Sequence, residues 1–257
     1  MPAHRSCGSL SRVVAAARTL RSSLRPAGRL AALLYALAAA VPASAQIAGT
    51  VSLDSDYRLR GYSISGGKPA ATASLSYDDP SGFYANGTAI GALNYEDHPD
   101  LLGAIAGVGY ARRITTLISL DAGISRTQYF HDASRPSGGA HYTEFYGGLV
   151  FRGIAAHVYM SPDYLTHHSS TVYGEVDALL KSFGPWNVSS HVGVLDYLTA
   201  PRYVRRTTLY DWRLGLSRRI HRFDLHAALT GGGPGTDYYR GRTHSKSAVV
   251  GGVSWSF

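Results

Sequence analysis

Cysteine and long apolar runs are the features that this sequence has least of. The only cysteine, Cys7, lies ahead of the N-terminal apolar run, so it is not placed as the acylated cysteine of a lipoprotein. No other thiol is present, which excludes disulfide chemistry from the rest of the chain. Beyond residue 45, no apolar stretch approaches the roughly 20 residues of a transmembrane helix. A membrane role would therefore require a β-barrel, the other structure that satisfies its own backbone within hydrocarbon.

The first 45 residues lack acidic side chains and carry six arginines. An apolar run over residues 30–40 follows, and Ala43-Ser44-Ala45 closes the stretch with small residues. A basic head, a short apolar core and a small-x-small site are typical of a secretory signal peptide, here with cleavage before Gln46. An organelle transit peptide is the alternative for an Arg- and Ser-rich leader. We expect residues 1–45 to be a signal peptide removed on export across the inner membrane, and residues 46–257 to form the mature protein.

Most of the net positive charge of the chain, which is +8 in total, resides in this leader. Six of the 25 Lys and Arg residues leave with it, so that 19 remain against 17 Asp and Glu residues, a net charge of +2. The alkaline pI therefore gives no indication of a nucleic-acid partner, and we expect none. The 212 residues after position 45 are enough for one domain or one barrel.

Helical periodicity is scarce in the mature part, and alternation with a period of two is common. Over residues 172–178, small or apolar residues alternate with Tyr173, Glu175 and Asp177. Successive side chains of a strand point to opposite faces, so this pattern indicates a strand with one polar face. Applied along the chain, the pattern predicts twelve strands, near residues 49–63, 68–78, 82–93, 101–112, 115–129, 141–151, 154–162, 170–182, 186–197, 209–219, 222–231 and 246–257.

The connections between these strands alternate between tight and long. Tight turns such as Arg152-Gly153 and Gly184-Pro185 alternate with longer stretches such as 94–100 and 198–208. Short periplasmic turns and longer external loops are typical of outer-membrane barrels, and aromatic residues beside the tight turns fit their interfacial girdle. We therefore predict an all-β fold, a transmembrane antiparallel up-and-down β-barrel of about 12 strands in the bacterial outer membrane. A soluble β-sandwich is the alternative.

The chain ends on a strand with a terminal aromatic residue. Val253, Trp255 and Phe257 share one face of this strand, while Ser254 and Ser256 occupy the other. A final strand that ends on an aromatic residue resembles the assembly signal of bacterial outer-membrane barrels. On this basis, the expected partners are the lipid of the outer membrane and the barrel-assembly machinery of a Gram-negative bacterium.

Charged residues alternate along the first predicted strand. Asp54, Asp56, Arg58 and Arg60 share one face, where a wet lumen would solvate and pair them. They form either a salt-bridge ladder that holds the barrel in shape or an element that selects ions. Further pore-lining candidates on the polar faces of other strands are Glu144, His157, Tyr173, Glu175, Asp177, His191, Asp211, Arg213, Asp224 and His226. Inward tyrosines are expected to narrow or plug the pore, namely Tyr62, Tyr84, Tyr146, Tyr159 and Tyr173.

No catalytic or metal-binding motif has a recognisable spacing in the sequence. The carboxylates and imidazoles of the predicted lumen could include an acid/base pair, but they form no Ser-His-Asp pattern. The stretch Gly231–Gly235 lacks the Lys-Ser/Thr of a phosphate-binding loop, so we expect a flexible external loop there. We expect no catalytic residue, cofactor or metal site. The histidines expected in solvated loops are His98, His131, His141, His167 and His168.

The first predicted strand also carries residues that resemble a known family. Ser55-Asp56-Tyr57, Arg60-Gly61 and Ser63 are similar to the opening motif of the TorF-type family of porin-like proteobacterial proteins, the Gcw_chp type. Less specific matches, such as Ser161-Pro162-Asp163-Tyr164, extend the resemblance over the mature chain. Ile64-Ser65 departs from the Gln that often follows the motif serine, which weakens any inference of a shared solute. The resemblance implies an outer-membrane barrel with porin-like permeation and supplies no substrate.

These observations favour a passive channel. Twelve strands about 4.8 Å apart and tilted near 40° enclose a backbone cylinder of roughly 24 Å, which inward side chains narrow to the order of 10 Å. We expect an outer-membrane porin-like channel for the passive diffusion of small polar solutes or ions. A closed structural barrel is the alternative, and a barrel enzyme is a third hypothesis.

Overall fold

The computed structural model describes residues 46–94, 97–130, 139–202, 204 and 207–257. The predicted signal peptide and His131 lie outside the described residues. Within the described ranges, no helix has the length and apolar character needed to cross a membrane. The regular elements are the strands β1 (Gln46–Asp54), β2 (Arg58–Leu59), β3 (Tyr62–Ser63), β4 (Ala70–Asp78), β5 (Phe83–Leu93), β6 (Pro99–Arg113), β7 (Ile118–Tyr129), β8 (Ala140–Phe151), β9 (Ile154–Ser161), β10 (Ser170–Phe183), β11 (Trp186–Thr199), β12 (Thr208–Ile220), β13 (Phe223–Gly233), β14 (Asp237–Tyr239), β15 (Arg242–His244) and β16 (Ala248–Ser256).

Twelve of these strands close into one antiparallel barrel. The order around the ring is β1-β16-β13-β12-β11-β10-β9-β8-β7-β6-β5-β4. Leu53 of β1 is paired with Val253 of β16 on one side and with Ala71 of β4 on the other, so the first and last wall strands close the ring. The structure confirms the predicted up-and-down barrel of twelve strands, and one closed sheet excludes the alternative of two packed sheets.

Apolar side chains cover the outside of the barrel. On β11, Val192 and Val194 are 57% and 51% exposed, whereas Leu195, which points inward, is 2% exposed. Rows of exposed Leu, Val and Phe on the other wall strands continue this surface around the ring. A belt of exposed aliphatic side chains matches the hydrocarbon of a bilayer, where the closed ladder leaves no backbone edge unpaired.

The half of the lumen nearest the long connections is packed rather than open. Leu59 and Ile64, from the segment after β1, lie against a cluster of buried residues from the wall strands and from the connection after β9. This cluster consists of Ile90, Leu102, Tyr129, Tyr142, Tyr164, Tyr173 and Leu195. The packing fixes the segment after β1 inside the barrel through apolar burial, in the same way as a small protein core.

Eleven of the twelve predicted strands agree with wall strands to within three residues at each end. The prediction for the first strand was wrong, because β1 ends at Asp54 and residues 55–69 leave the wall. There β2 and β3 pair with each other through a two-residue turn at Arg60-Gly61, with φ angles of +47° and +82°. Positive φ at both turn residues is the requirement of a type I′ hairpin, and Gly61 adopts it without steric cost. The alternating charges therefore belong to an inward hairpin.

The prediction of a flexible loop at Gly231–Gly235 was also wrong in part. Gly231–Gly233 complete β13, and the following connection contains the paired strands β14 and β15. This second hairpin turns at Arg240-Gly241, with φ angles of +52° and +70°. Gly232 has a packing role, because a Cβ there would lie 3.3 Å from Cα of Gly61 in the segment that enters the lumen.

The C-terminal aromatics lie at the seam between β16 and β1. The N–H of Phe257 donates to the carbonyl of Gly49 at 2.9 Å, and the N–H of Gly49 donates to the carbonyl of Phe257 at 3.0 Å. The rings of Trp255 and Phe257 pack 4.7 Å apart, and Phe257 is 52% exposed. The terminal residue thus extends the pairing that closes the barrel.

Candidate functional site

Asp56 organises the segment that enters the barrel, which we call the lumenal hairpin (residues 56–65). One carboxylate oxygen of Asp56 accepts hydrogen bonds from the hydroxyls of Ser63 at 2.5 Å and Ser65 at 2.9 Å. The other oxygen accepts a hydrogen bond from the guanidinium of Arg58 at 2.7 Å. The N–H of Tyr57 donates to the hydroxyl of Ser65 at 2.9 Å. Three of these contacts end on the buried Asp56 carboxylate and the fourth ends on Ser65, which explains why the sequence holds Asp and Ser at these positions.

Arg58 fastens the hairpin to the last long connection. Its guanidinium donates to the carbonyls of Gly61 and Lys246, both at 2.9 Å, and lies 3.7 Å from the carboxylate of Asp237. The backbone N–H of Ser63 donates to the same carboxylate at 2.7 Å. The Arg58 side chain is 7% exposed, so its charge is balanced by Asp56 and Asp237 rather than by bulk water.

Lys246, in the same long connection as Asp237, packs against the hairpin. Its ammonium lies 3.8 Å from the ring centre of Tyr62 and donates to the carbonyl of Pro234 at 3.2 Å. Burial lowers the pKa of Lys246 and raises the pKa of Tyr62 to about 12. The Tyr62 phenol therefore stays neutral at physiological pH, and the contact is a cation–π interaction rather than an ion pair.

Arg60, at the tip of the hairpin, reaches the opposite wall. Its guanidinium donates to a carboxylate oxygen of Glu144 at 2.7 Å, with both side chains less than a tenth exposed. Glu144 belongs to β8, which stands five strands from β1 by the shorter route around the ring. The Arg60 guanidinium also lies 3.9 Å from the ring centre of Tyr173 and 5.1 Å from that of Tyr164. A buried charge with one carboxylate and a tyrosine cage around it is well compensated.

Gly61 brings the hairpin against another part of the wall. A Cβ at Gly61 would lie 3.2 Å from Cα of Gly232 on β13 and 3.3 Å from Cβ of Asp211 on β12. Gly61 thus touches one side of the lumen while its neighbour Arg60 contacts β8 on another side. The hairpin tip spans the lumen, a position that requires both the left-handed turn and the missing side chain of Gly61.

Two cavities lie on either side of the hairpin tip. The larger, of about 490 Å³, lies toward the short turns and includes Glu175, His191 and His226 in its lining. The smaller, of about 210 Å³, lies toward the long connections, with Tyr164 and Tyr197 in its lining. Residues common to both linings are Leu59, Arg60 and Asp211. The hairpin therefore separates two spaces of a single lumen.

His191 stands between two carboxylates in the larger cavity. Its Nδ1 lies 3.0 Å from Asp177 and its Nε2 lies 2.9 Å from Asp211. The hydroxyl of Tyr173 approaches both partners, at 3.2 Å from His191 Nε2 and 3.2 Å from Asp211 Oδ2. The barrel register produces this group, because Asp177 on β10 is paired with His191 on β11, and Asp211 on β12 is paired with Gly193, two residues along β11 from His191.

The remaining predicted lumen residues form similar local pairs. Asp54 contacts His226 at 2.7 Å, and Arg213 lies 3.5 Å from Asp177. Further pairs are His157 with Asp121 at 3.2 Å, Glu175 with the hydroxyl of Tyr159 at 2.8 Å, and Asp224 with His226 at 3.9 Å. The pore-lining candidates therefore share one lumen, but Asp56, Arg58 and Arg60 reach it from the hairpin and not from the wall.

Four residues of the site were missed by sequence reasoning. Asp237 and Lys246 lie in the last connection, where no periodic pattern marks them, and Tyr142 and Tyr164 complete the surroundings of Arg60. The alternation along β8 places Tyr142 on the same face as Glu144, so its position was available from the sequence. For Asp237 and Lys246 no such signal exists in the sequence, since their contacts depend on the hairpin.

Comparison with known proteins supports this description of the fold. No match to the sequence is found among curated proteins. The NanC porin structure has a TM-score of 0.51 at 11% identity, covering 82% of this chain and 99% of that chain. The KdgM porin follows with a TM-score of 0.47 at 11% identity and coverages of 82% and 98%. DcaP, an outer-membrane channel of Acinetobacter baumannii, has a TM-score of 0.40 at 10% identity and coverages of 84% and 99%.

At such low identity, the likeness to NanC shows the outer-membrane barrel fold alone. The sequence itself gives the more specific result. Residues 38–256, nearly all of the chain beyond the basic head, match a single family. The motif residues of the lumenal hairpin lie within this match. The chain belongs to the family described as "Bacterial protein of unknown function (Gcw_chp)".

Proposed function

We propose that this protein is an outer-membrane channel for the passive diffusion of small polar solutes and ions, and that the lumenal hairpin closes it. The observation that carries the proposal is the division of the lumen into two cavities by the hairpin tip, the larger of which has a polar lining. If the hairpin moves aside, the two cavities join. The cavity of about 490 Å³ has room for on the order of fifteen waters, enough for a hydrated ion or a small solute.

The hairpin can move without opening the wall. Within the described part of the chain, β2 and β3 pair with each other and with no wall strand. Each wall strand keeps two hydrogen-bonded neighbours that do not include the hairpin. The attachments of the hairpin are side-chain contacts, chiefly Arg58 with Asp237 and Arg60 with Glu144. Its displacement therefore costs ion pairs and apolar contacts but no ladder of the barrel.

Export and insertion are part of the same proposal. A signal peptide over residues 1–45 would direct the chain across the inner membrane, and Val253, Trp255 and Phe257 would present the final strand to the barrel-assembly machinery. The exposed aliphatic belt and the pairing of Phe257 with Gly49 at the seam support this route. Membrane lipid is then the surrounding medium of the outer face.

A closed structural barrel is the second candidate, and one observation favours it. Leu59 and Ile64 of the hairpin pack against the buried cluster that includes Tyr129, Tyr142 and Leu195. Both side chains are partly buried, so each stabilises the closed position by less than the about 1.5–3 kcal/mol of a fully buried aliphatic side chain. In a scaffold this closure would be permanent, whereas in a channel it would be reversible.

A reversible disulfide distinguishes the two candidates. The mature part has no cysteine, so a pair introduced as Gly61→Cys and Asp211→Cys has no competing thiol. A Cβ at Gly61 would lie 3.3 Å from Cβ of Asp211, close to the separation of about 3.5–4.5 Å in natural disulfides. Planar-bilayer recordings compare the oxidised and reduced forms of the same protein, with each single cysteine variant as a control.

The channel proposal expects openings in the wild type and in the reduced double variant, and none in the oxidised form. A third protein replaces residues 57–64 by Gly-Ser-Gly, which can bridge the gap because the backbone N–H of Ser65 lies 3.4 Å from the carbonyl of Tyr57. This protein should conduct continuously. If the wild type does not conduct and the hairpin-deleted protein does, the hairpin is a fixed seal and the structural barrel is correct. Absence of conductance in all folded forms rejects the channel.

A further inference from the structure

We propose that the lumen wall holds a binding site for one divalent transition-metal ion, with Glu175, Asp177 and His191 as its ligands. These residues lie on the neighbouring strands β10 and β11 and project into the lumen. Each offers one ligand atom, and these atoms lie within 4.8 Å of one another. The site is independent of conduction, since a closed barrel with this wall would hold it equally well.

The spacing suits a metal after a small adjustment. A zinc ion binds imidazole nitrogen at about 2.0–2.1 Å and carboxylate oxygen at about 2.0–2.2 Å, so its ligand atoms lie roughly 3.4 Å apart in a tetrahedral site. His191 Nδ1 and Asp177 Oδ1 are already 3.0 Å apart. Glu175, whose side chain has three rotatable bonds, makes the remaining movement.

The second nitrogen of His191 is arranged as in metal-ligating histidines. Its Nε2 lies 2.9 Å from Asp211, which is close enough for Nε2–H to donate to that carboxylate. In the metal-bound form this hydrogen bond would leave the lone pair of Nδ1 for the metal, on the side of Asp177 and Glu175. Metal-bound histidines characteristically donate their other N–H to a carboxylate, which fixes the tautomer and increases the basicity of the ligand. Asp211 is therefore a positioning residue for His191.

The local charge matches a divalent cation. Three carboxylates meet here, those of Glu175, Asp177 and Asp211, and Arg213 lies 3.5 Å from Asp177. These three carboxylates outnumber Arg213 and His191, so the group carries a net negative charge in either protonation state of His191. Tyr159 donates to one oxygen of Glu175 at 2.8 Å and leaves the second oxygen available. One imidazole with two carboxylates suits zinc, cobalt or nickel better than calcium or magnesium, which prefer oxygen ligands alone.

An imidazolium between two carboxylates is the competing explanation of the same contacts. It accounts for Asp177 and Asp211, each within 3.0 Å of a His191 nitrogen. It assigns no role to Glu175, whose carboxylate accepts a hydrogen bond from the hydroxyl of Tyr159 instead. The two explanations therefore differ in their prediction for Glu175→Gln. This substitution weakens a metal site and leaves the imidazolium bridge unchanged.

The test is a metal titration of tag-free protein extracted in its folded form from outer membranes. Zn²⁺ binding is measured by isothermal titration calorimetry and Co²⁺ binding by its visible absorption, with Mg²⁺ as the unsuited ion. The variants Glu175→Gln, Asp177→Asn and His191→Gln are near-isosteric, and heat-modifiable gel mobility reports whether each is folded. His226→Gln is the matched control, because His226 faces the same lumen and contacts Asp54 and Asp224.

We expect one Zn²⁺ or Co²⁺ per chain in the wild type and in His226→Gln. Each ligand variant should bind at least tenfold more weakly, and Asp211→Asn about tenfold more weakly because the Nε2–H of His191 loses its charged acceptor. Absence of stoichiometric binding to the folded wild type overturns the proposal. Binding that survives in both Glu175→Gln and His191→Gln overturns it as well.

Discussion

The guanidinium of Arg60 lies 2.7 Å from the carboxylate of Glu144, although 84 positions separate the two residues in the sequence. The contact joins the tip of the lumenal hairpin to β8, and both side chains are less than a tenth exposed. Two buried charges compensate each other only while both are present. This pair therefore gives a direct test of how firmly the hairpin is held.

We expect Arg60→Met to lower the free energy of unfolding by about 3–5 kcal/mol, because it leaves the Glu144 carboxylate buried without its partner. Arg60→Met combined with Glu144→Gln should recover much of this loss. Urea unfolding in lipid vesicles, followed by tryptophan fluorescence, measures the difference. Arg213→Met is the control, since the Arg213–Asp177 pair is about half exposed and should contribute no more than about 1 kcal/mol. Equal losses at both sites would contradict the burial argument.

The two Arg-Gly turns give a matched pair of glycine variants. Gly61 and Gly241 have φ angles of +82° and +70°, so alanine is strained at either position by about 1–2 kcal/mol. Among the described residues, no atom lies within 4 Å of a Cβ at Gly241, whereas a Cβ at Gly61 meets Gly232 and Asp211. We expect Gly61→Ala to be the more destabilising change, and to displace the hairpin as well.

Trypsin provides a readout for that displacement. Cleavage after Arg58 or Arg60, identified by mass spectrometry on intact outer membranes, should be absent in the wild type and in Gly241→Ala, because both arginine side chains are buried. Gly61→Ala should become cleavable at one or both positions. Equal protection of the two variants would show that the contact of Gly61 with the wall does not hold the hairpin.

Alternation was sufficient to predict the barrel, because the period of two is a local property of each strand. The same alternation gave a wrong prediction at residues 55–63, which are not part of the wall strand. Asp56, Arg58 and Arg60 alternate as they would along a strand, yet their partners are Ser63 and Ser65 nearby and Glu144 far away in the sequence. A sequence pattern does not contain these tertiary contacts. The Arg60-Gly61 dipeptide was the local signal for a turn.

The lumen residues also show that tertiary contacts cannot be predicted from a local sequence pattern. Asp177, His191 and Asp211 were each predicted to face the lumen, and the register brings all three together. That meeting depends on the pairing of β10 with β11 and of β11 with β12, and a shift of one residue would separate them. Faces are therefore predictable from the sequence, whereas sites built across strands are not.

The seam between β1 and β16 yields a test of assembly. A Cβ at Gly49 would overlap the ring of Phe257, so Gly49→Leu should displace the terminal ring and reduce barrel insertion. Gly174→Leu is the control, because a Cβ at Gly174 meets no described atom within 4 Å. Heat-modifiable protein in outer-membrane fractions measures the yield. Deletion of Phe257 should lower the yield as well, and wild-type yields for both changes would reject a role of the terminal residue in assembly.

Ion selectivity depends on which charges remain when the lumen is open. In the protein with residues 57–64 replaced by Gly-Ser-Gly, Arg58 and Arg60 are absent while Asp54, Glu175 and Asp211 still line the lumen. We expect this pore to select cations, because clustered carboxylates favour them electrostatically. The reversal potential under a KCl gradient measures the preference. The double variant Glu175→Gln and Asp211→Asn should shift the reversal potential toward zero. The control Ser189→Ala changes an uncharged residue on the lumen-facing side of β11 and should leave the reversal potential unchanged. An anion-selective or unshifted pore would show that the wall carboxylates do not control permeation.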